Sequence, residues 1–121
     1  MAVILSVDDS QVVRNMVSVV LTRAGHEVVT AVDGAEALNI CRERVFDLVL
    51  SDVHMPNING ISLVSKLRRL DGYAEVPILM LTTDDTEYKK NKARSFGANG
   101  WLVKPFTPDR LTDAIDRLLA A

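Results

Sequence analysis

Hydrophobic periodicity switches along the whole chain between short unbroken apolar runs and apolar stripes at helical spacing, and the exchange repeats five times. Val3 to Val7, Val28 to Ala31, Leu48 to Leu50, Ile78 to Leu81 and Trp101 to Val103 are rich in Val, Ile and Leu with little alternation. Strands covered on both faces read this way, so these are candidates for a parallel sheet. Between the first two runs, Val13, Met16, Val17, Val20, Leu21 and Ala24 fall on one helical stripe that stops at Gly25. Ala35 to Arg44 and Ile61 to Leu70 fill the next two gaps, with Ala37, Leu38 and Cys41 on the first and Val64, Leu67 and Leu70 on the second. The last helix carries Leu111, Ala114, Ile115, Leu118 and Leu119, and Thr107-Pro108 supplies an N-cap with proline at the first helical position. The fourth, about Thr86 to Phe96, differs. Tyr88, Ala93 and Phe96 are nearly its only apolar residues, so it should be the helix least firmly tied to the sheet. Strict alternation of this kind predicts an α/β fold, a parallel sheet with helices on both faces joined by right-handed crossovers.

A chain of 121 residues is expected to form one domain, residues 1–121, with no linker or repeat inside it. A formal charge of −2 gives no electrostatic footprint for nucleic acid, and no apolar run reaches the 18 residues of a membrane span. Met1-Ala2 leads straight into the first strand without a basic secretory leader. Cys41 is the lone cysteine and reads as a small buried apolar residue. A cytoplasmic protein without membrane insertion is expected.

Polar residues mark the strand ends: Asp8-Asp9, Asp52, Thr82-Thr83 and Lys104-Pro105. Strand ends on one edge of a parallel sheet converge, and ligands of such sheets bind there. The markers therefore describe one acidic pocket with a hydroxyl and an ammonium, suited to a divalent cation and a phosphoryl group. Three carboxylates in one place repel each other, and a bound cation favours ionisation of all of them. Oxygen-only ligation from few carboxylates fits Mg²⁺ better than Ca²⁺ or zinc. Taken singly, an Asp before a helix is often an N-cap and a Lys before Pro a surface residue; their coincidence at one edge has no packing reason.

Val7-Asp8-Asp9-Ser10, Ser51-Asp52-Val53-His54-Met55-Pro56-Asn57-Ile58-Asn59-Gly60, Pro77-Ile78-Leu79-Met80-Leu81-Thr82-Thr83 and Val103-Lys104-Pro105-Phe106 resemble the signature blocks of the response-regulator receiver domain. The resemblance runs over the whole chain in the family's order and spacing. It implies a five-stranded parallel sheet of order 2-1-3-4-5, doubly wound with five helices, a flavodoxin-like, CheY-like fold. It further implies that Asp52 is the phosphoryl acceptor, forming an aspartyl-phosphate with a histidine kinase or phosphotransfer protein as donor. Asp9, Asp52 and the backbone carbonyl of His54 would be direct Mg²⁺ ligands, and Asp8 would act through metal-bound water. Lys104 and the Thr82 hydroxyl would bind phosphoryl oxygens, and Lys104-Pro105 would be a cis peptide. Such a domain is no enzyme in the ordinary sense, since it catalyses only its own Mg²⁺-dependent phosphorylation and dephosphorylation.

The resemblance also implies an output step. Added charge would draw Thr82 and its loop inward and let Trp101 follow, changing the surface of the fourth helix, fifth strand and fifth helix, where a target protein docks. The aromatic position is usually Tyr or Phe in the family, and from pattern alone a tryptophan in a strand is more often a packing residue. Lys89, Lys90, Lys92 and Arg94 follow Asp84, Asp85 and Glu87, an order that complements the helix dipole; they are either a solvated face or a docking surface for an acidic partner. His54 reads as a partly exposed loop histidine and His26 has no evident partner. Three rival readings remain: a Mg²⁺-dependent phosphohydrolase, disfavoured because His54 stands where its second Asp would; a pseudo-receiver that binds without being phosphorylated; and a receiver excised from a longer regulator or hybrid kinase. As a stand-alone receiver the chain would signal by protein contact, in chemotaxis or another phosphorelay.

Overall fold

The structure, a computed structural model, describes residues 1–121. Five strands alternate with five helices: β1 (Val3–Val7), α1 (Gln11–Arg23), β2 (Glu27–Ala31), α2 (Gly34–Glu43), β3 (Leu48–Asp52), α3 (Gly60–Leu67), β4 (Ile78–Thr82), α4 (Glu87–Phe96), β5 (Gly100–Val103) and α5 (Pro108–Ala120). The strands form one sheet of order β2-β1-β3-β4-β5, and every neighbouring pair is parallel. This is the doubly wound order that the resemblance implied.

In the central strands β1, β3 and β4 side chains alternate between two faces and both faces are buried, whereas the edge strand β2 keeps Glu27 and Thr30 exposed. Leu5, Val7, Val49, Ile78 and Met80 enter a core with α2 and α3 residues such as Leu38, Leu63 and Leu67. Ile4, Leu48, Leu50, Leu79 and Leu81 enter a second core with Val17 and Leu21 of α1 and Leu111 and Ile115 of α5. Two buried faces are why the strand sequences show no period of two. Each fully buried Leu or Ile contributes about 1.5–3 kcal/mol relative to exposure, so the central strands are the most stabilised part of the molecule.

Each helix start is fixed by a side chain that accepts a backbone N–H of its first turn: Ser10, Asp33, Asn59, Thr86 and Thr107. Pattern placed the end of α3 at Leu70, but it ends at Leu67. Tightened turns follow, from the Arg69 N–H to Lys66 O and from the Leu70 N–H to Leu67 O, and Leu70 still packs against the first core from that turn. Arg68 is thereby free to clamp its surroundings. Its guanidinium donates to Gly97 O (2.6 and 3.2 Å), Tyr73 O (2.7 Å), Val76 O (2.7 Å) and Asn99 Oδ1 (2.8 Å).

Candidate functional site

The site lies where the carboxyl ends of β1, β3, β4 and β5 meet. Asp8 follows β1 and is almost fully buried, Asp52 closes β3 and is 9% exposed, and Thr82 closes β4 fully buried. Lys104 follows β5 with its side chain 15% exposed. Close packing holds Asp52 in place. Gly60 lies so near that a Cβ there would sit 2.0 Å from the Asp52 carbonyl oxygen, and the Gly60 N–H donates to Val53 O (2.8 Å). Only glycine fits that approach.

Lys104 Nζ reaches Asp8 Oδ2 at 2.8 Å and Asp52 Oδ2 at 3.5 Å. Asp8 Oδ1 accepts from the Ser10 N–H (2.9 Å), and Asp52 Oδ1 from the His54 N–H (3.3 Å). Asp9 stands exposed at the mouth, and one oxygen from each of Asp8, Asp9 and Asp52 lies within 4.8 Å of the others. Burial pushes the Asp52 carboxyl above the usual carboxylate range; the Lys104 ammonium opposes that rise and the Asp8 carboxylate adds to it. Desolvation thus outweighs the like-charge crowding that sequence reasoning put first. Three carboxylates, one facing solvent, form an oxygen-only donor set with open positions, which suits a small hard cation that keeps some of its water. The residues fit Mg²⁺.

The family model for the response regulator receiver domain matches residues 4–116. The chain belongs to this family. The receiver is 36% identical to a chemotaxis protein CheY homolog of Campylobacter jejuni over 118 residues, covering 96% of this chain and 91% of the relative. It is likewise 36% identical to chemotaxis protein CheY1 of Helicobacter pylori, covering 96% and 95%. Its backbone matches the solved chemotaxis protein CheY4 of Vibrio cholerae with a TM-score of 0.94 at 47% identity, covering 98% of each chain. It also matches the receiver domain of a sensor histidine kinase of Pseudomonas aeruginosa, solved with a magnesium ion in its active-site cleft (TM-score 0.91, 26% identity, 99% and 98% covered). Receiver domains are signalling modules of two-component systems rather than ordinary enzymes. No helix of this one is long and apolar enough to cross a membrane.

The receiver's fold brings together the residues that the sequence singled out. Thr82 Oγ1 accepts from the Asp84 N–H (3.1 Å), which leaves its own proton free to donate. The Lys104–Pro105 peptide is cis, and the Lys104 N–H donates to Thr82 O (2.8 Å). Trp101 sits second in β5 and is half-buried. Its indole N–H donates to the carbonyl of Asp84 (3.0 Å).

Three connections escaped sequence reasoning. Asp84 is a hub: its carboxylate accepts from the Thr86 N–H (3.0 Å) and hydroxyl (2.9 Å), lies 3.3 Å from Lys89 Nζ and is 3.5 Å from His54 Nε2. The two bonds from Thr86 lead the causes that hold its pKa down at about 2. His54 is a half-exposed loop residue, as expected, but it spans from the β3–α3 loop to the β4–α4 loop. Arg14, in the first turns of α1, donates to the Asp8 carbonyl (2.5 Å). His26, for which no partner was foreseen, accepts the Ala2 N–H on Nδ1 (3.1 Å) and ties the α1–β2 turn to the start of β1. A histidine that accepts one backbone N–H leaves no signature in spacing.

Proposed function

We propose that this receiver accepts a phosphoryl group on Asp52 from the phosphohistidine of a histidine kinase or phosphotransfer protein. The observation that carries the reading is the Asp52 carboxylate, sunk at the β3 end, with Lys104 Nζ at 3.5 Å and the Asp8 and Asp9 oxygens beside it. A carboxylate oxygen of Asp52 attacks phosphorus, and the phosphorus–nitrogen bond to the donor imidazole breaks. Its electron pair stays on the imidazole, which takes up a proton on leaving. Asp9, Asp52 and the carbonyl of His54 would hold Mg²⁺, with Asp8 acting through its water; the cation supplies neutralising charge to the phosphoryl oxygens. Lys104 shifts from its carboxylate partners to a phosphoryl oxygen as a point charge. The Thr82 hydroxyl donates to another, drawing the β4–α4 loop with it. Hydrolysis of the acyl phosphate by water resets Asp52.

The output reading rests on the bond from Trp101 to Asp84. The same residue accepts the indole through its carbonyl and holds the Thr82 hydroxyl through its N–H, so a displaced Thr82 disturbs Trp101. The surface of α4, β5 and α5 then docks a target protein. Likeness to chemotaxis proteins supports a role in chemotaxis; on this reading residues 1–121 act in the cytoplasm as one phosphoacceptor domain without direct contact to nucleic acid. Intact mass after incubation with acetyl phosphate tests the reaction. A gain of about 80 Da that needs Mg²⁺ and vanishes in Asp52→Asn is expected. An unmodified mass at every Mg²⁺ concentration and with a phosphohistidine donor protein would leave a binding module that is never phosphorylated.

A further inference from the structure

Every polar group of Asp8 is engaged. Its N–H donates to Ala31 O (3.1 Å), Oδ1 accepts from the Ser10 N–H (2.9 Å), Oδ2 from Lys104 Nζ (2.8 Å) and the carbonyl oxygen from Arg14 Nη1 (2.5 Å). The first three hold Asp8 itself. The fourth lands on the peptide that joins Asp8 to Asp9. Because a peptide unit is planar, its orientation sets the direction in which Asp9 leaves the strand. Asp9 belongs neither to β1 nor to α1 and is exposed, so little else steadies it.

Arg14 donates to the Asp8 carbonyl and forms no ion pair with any carboxylate. A guanidinium committed to a neutral carbonyl forgoes the stronger charge-assisted bond that a carboxylate offers. That choice makes sense if the carboxylates are left free for another cation. We propose that Arg14 is a positioning residue of the Mg²⁺ site: it holds the Asp8–Asp9 peptide so that the Asp9 carboxylate meets the ion in the required geometry. The proposal rests on the reading of the acidic pocket as a Mg²⁺ site. Mg²⁺ demands near-octahedral oxygens at about 2.0–2.1 Å, so a ligand that swings costs affinity. Loss of a residue that orients a ligand typically weakens metal binding about 10- to 100-fold.

The two roles open to Arg14 carry opposite signs. If it acted only as a nearby positive charge, it would repel a divalent cation, and its removal would tighten binding. As a tether, its removal weakens binding. Calorimetric titration of the metal-free full chain with magnesium chloride separates them, run on wild type, Arg14→Met, Arg14→Lys and Asp9→Asn, with a metal-free thermal melt of each. Arg14→Met should raise the Kd about 10-fold, while its metal-free melting temperature should fall by no more than the loss of one hydrogen bond brings. Arg14→Lys, which keeps a donor of similar reach, should recover most of the affinity. Arg14→Gln loses the charge as Arg14→Met does, gives the same sign and carries the test should the Met variant fail to fold. An unchanged or lower Kd in the neutral variants, or a Lys variant as weak as Met, overturns the proposal. Wild type that binds no better than Asp9→Asn brings down the Mg²⁺ reading itself, and the role of Arg14 with it.

Discussion

Helices α1 and α4 both begin at the rim of the acidic pocket, yet they are fastened by different physics. α1 buries Val17 and Leu21 completely against the sheet, and Arg14 in its first turns reaches back to Asp8. α4 buries only Ala93, while Tyr88 is 72% and Phe96 42% exposed. Its N-terminal end is held by the polar hub at Asp84 and its C-terminal end by Arg68 on Gly97. Apolar burial resists small displacements because a shifted side chain leaves a void. A hydrogen bond adds about 0.5–1.5 kcal/mol net and can be exchanged for another of equal strength. The wall that carries Asp8 and Asp9 is therefore fixed, and the wall beyond Thr82 can be rearranged by a new set of acceptor oxygens.

The largest effect expected from this contrast is in the α1 wall. Leu21→Ala should cost about 2–5 kcal/mol in urea unfolding, as transfer and cavity contributions add. A loss below 1 kcal/mol would mean that α1 is no better anchored than α4. Next comes the clamp on α4. Arg68→Met leaves the Gly97, Tyr73 and Val76 carbonyls short of a donor and should cost about 1–3 kcal/mol. Amide exchange ought to rise over residues 93–99 and stay unchanged in α1. Uniform acceleration across both helices would show that the clamp stabilises the whole molecule instead of one end of one helix.

Two carboxylates sharpen the contrast through pH, with opposite signs. The pKa of Asp52 is raised, so the folded chain holds its proton more tightly than the unfolded chain does. Metal-free stability therefore falls as pH rises from the ordinary carboxylate range through the raised value, and the ionised Asp52 is a burden at neutral pH. Asp52→Asn should melt higher than wild type at pH 7 without metal, and the gap should close in acid. Asp84 is depressed to about 2. Its contribution is present above the ordinary carboxylate range and is lost as pH falls through about 2, so Asp84→Asn should melt lower than wild type at pH 7, with the loss confined to α4 by amide exchange. Shifts of the same sign in both variants would refute the division between a strained site and a stabilised loop.

The fold was legible because its signals are local. Strands buried on both faces read as unbroken apolar runs, and Ser10, Thr86 and Thr107 announce helix starts within a few residues. The pocket was legible because its residues stand at strand ends, so order along the chain translates into proximity. Arg14, Arg68 and Asp84 were not. Each acts on backbone groups or loop side chains brought near by tertiary structure, as when Arg68 meets Gly97 across 29 residues. On a helix or loop in the sequence, such a residue cannot be told from a solvated one. The end of α3 misled for a related reason: Leu70 continues the apolar stripe, but it reaches the core from a turn.

The smallest effect tests whether the movable wall is connected to the pocket at all. Trp101→Phe keeps an aromatic body in β5 and removes the indole N–H that bonds Asp84 O at 3.0 Å. The loss in stability should be about 0.5–1.5 kcal/mol, the worth of one hydrogen bond. Its consequence for signalling should be larger than its consequence for folding. Trp101 is the only tryptophan, so its fluorescence in the wild type reports the state of this bond. Acetyl phosphate with Mg²⁺ should change that emission in wild type and leave it unchanged in Asp52→Asn. In Trp101→Phe, acetyl phosphate should still add mass to Asp52 while the amide-exchange response of α4 shrinks. A full α4 response without the indole would show that Thr82 and Asp84 move the helix by themselves, and that Trp101 belongs to the packing of β5.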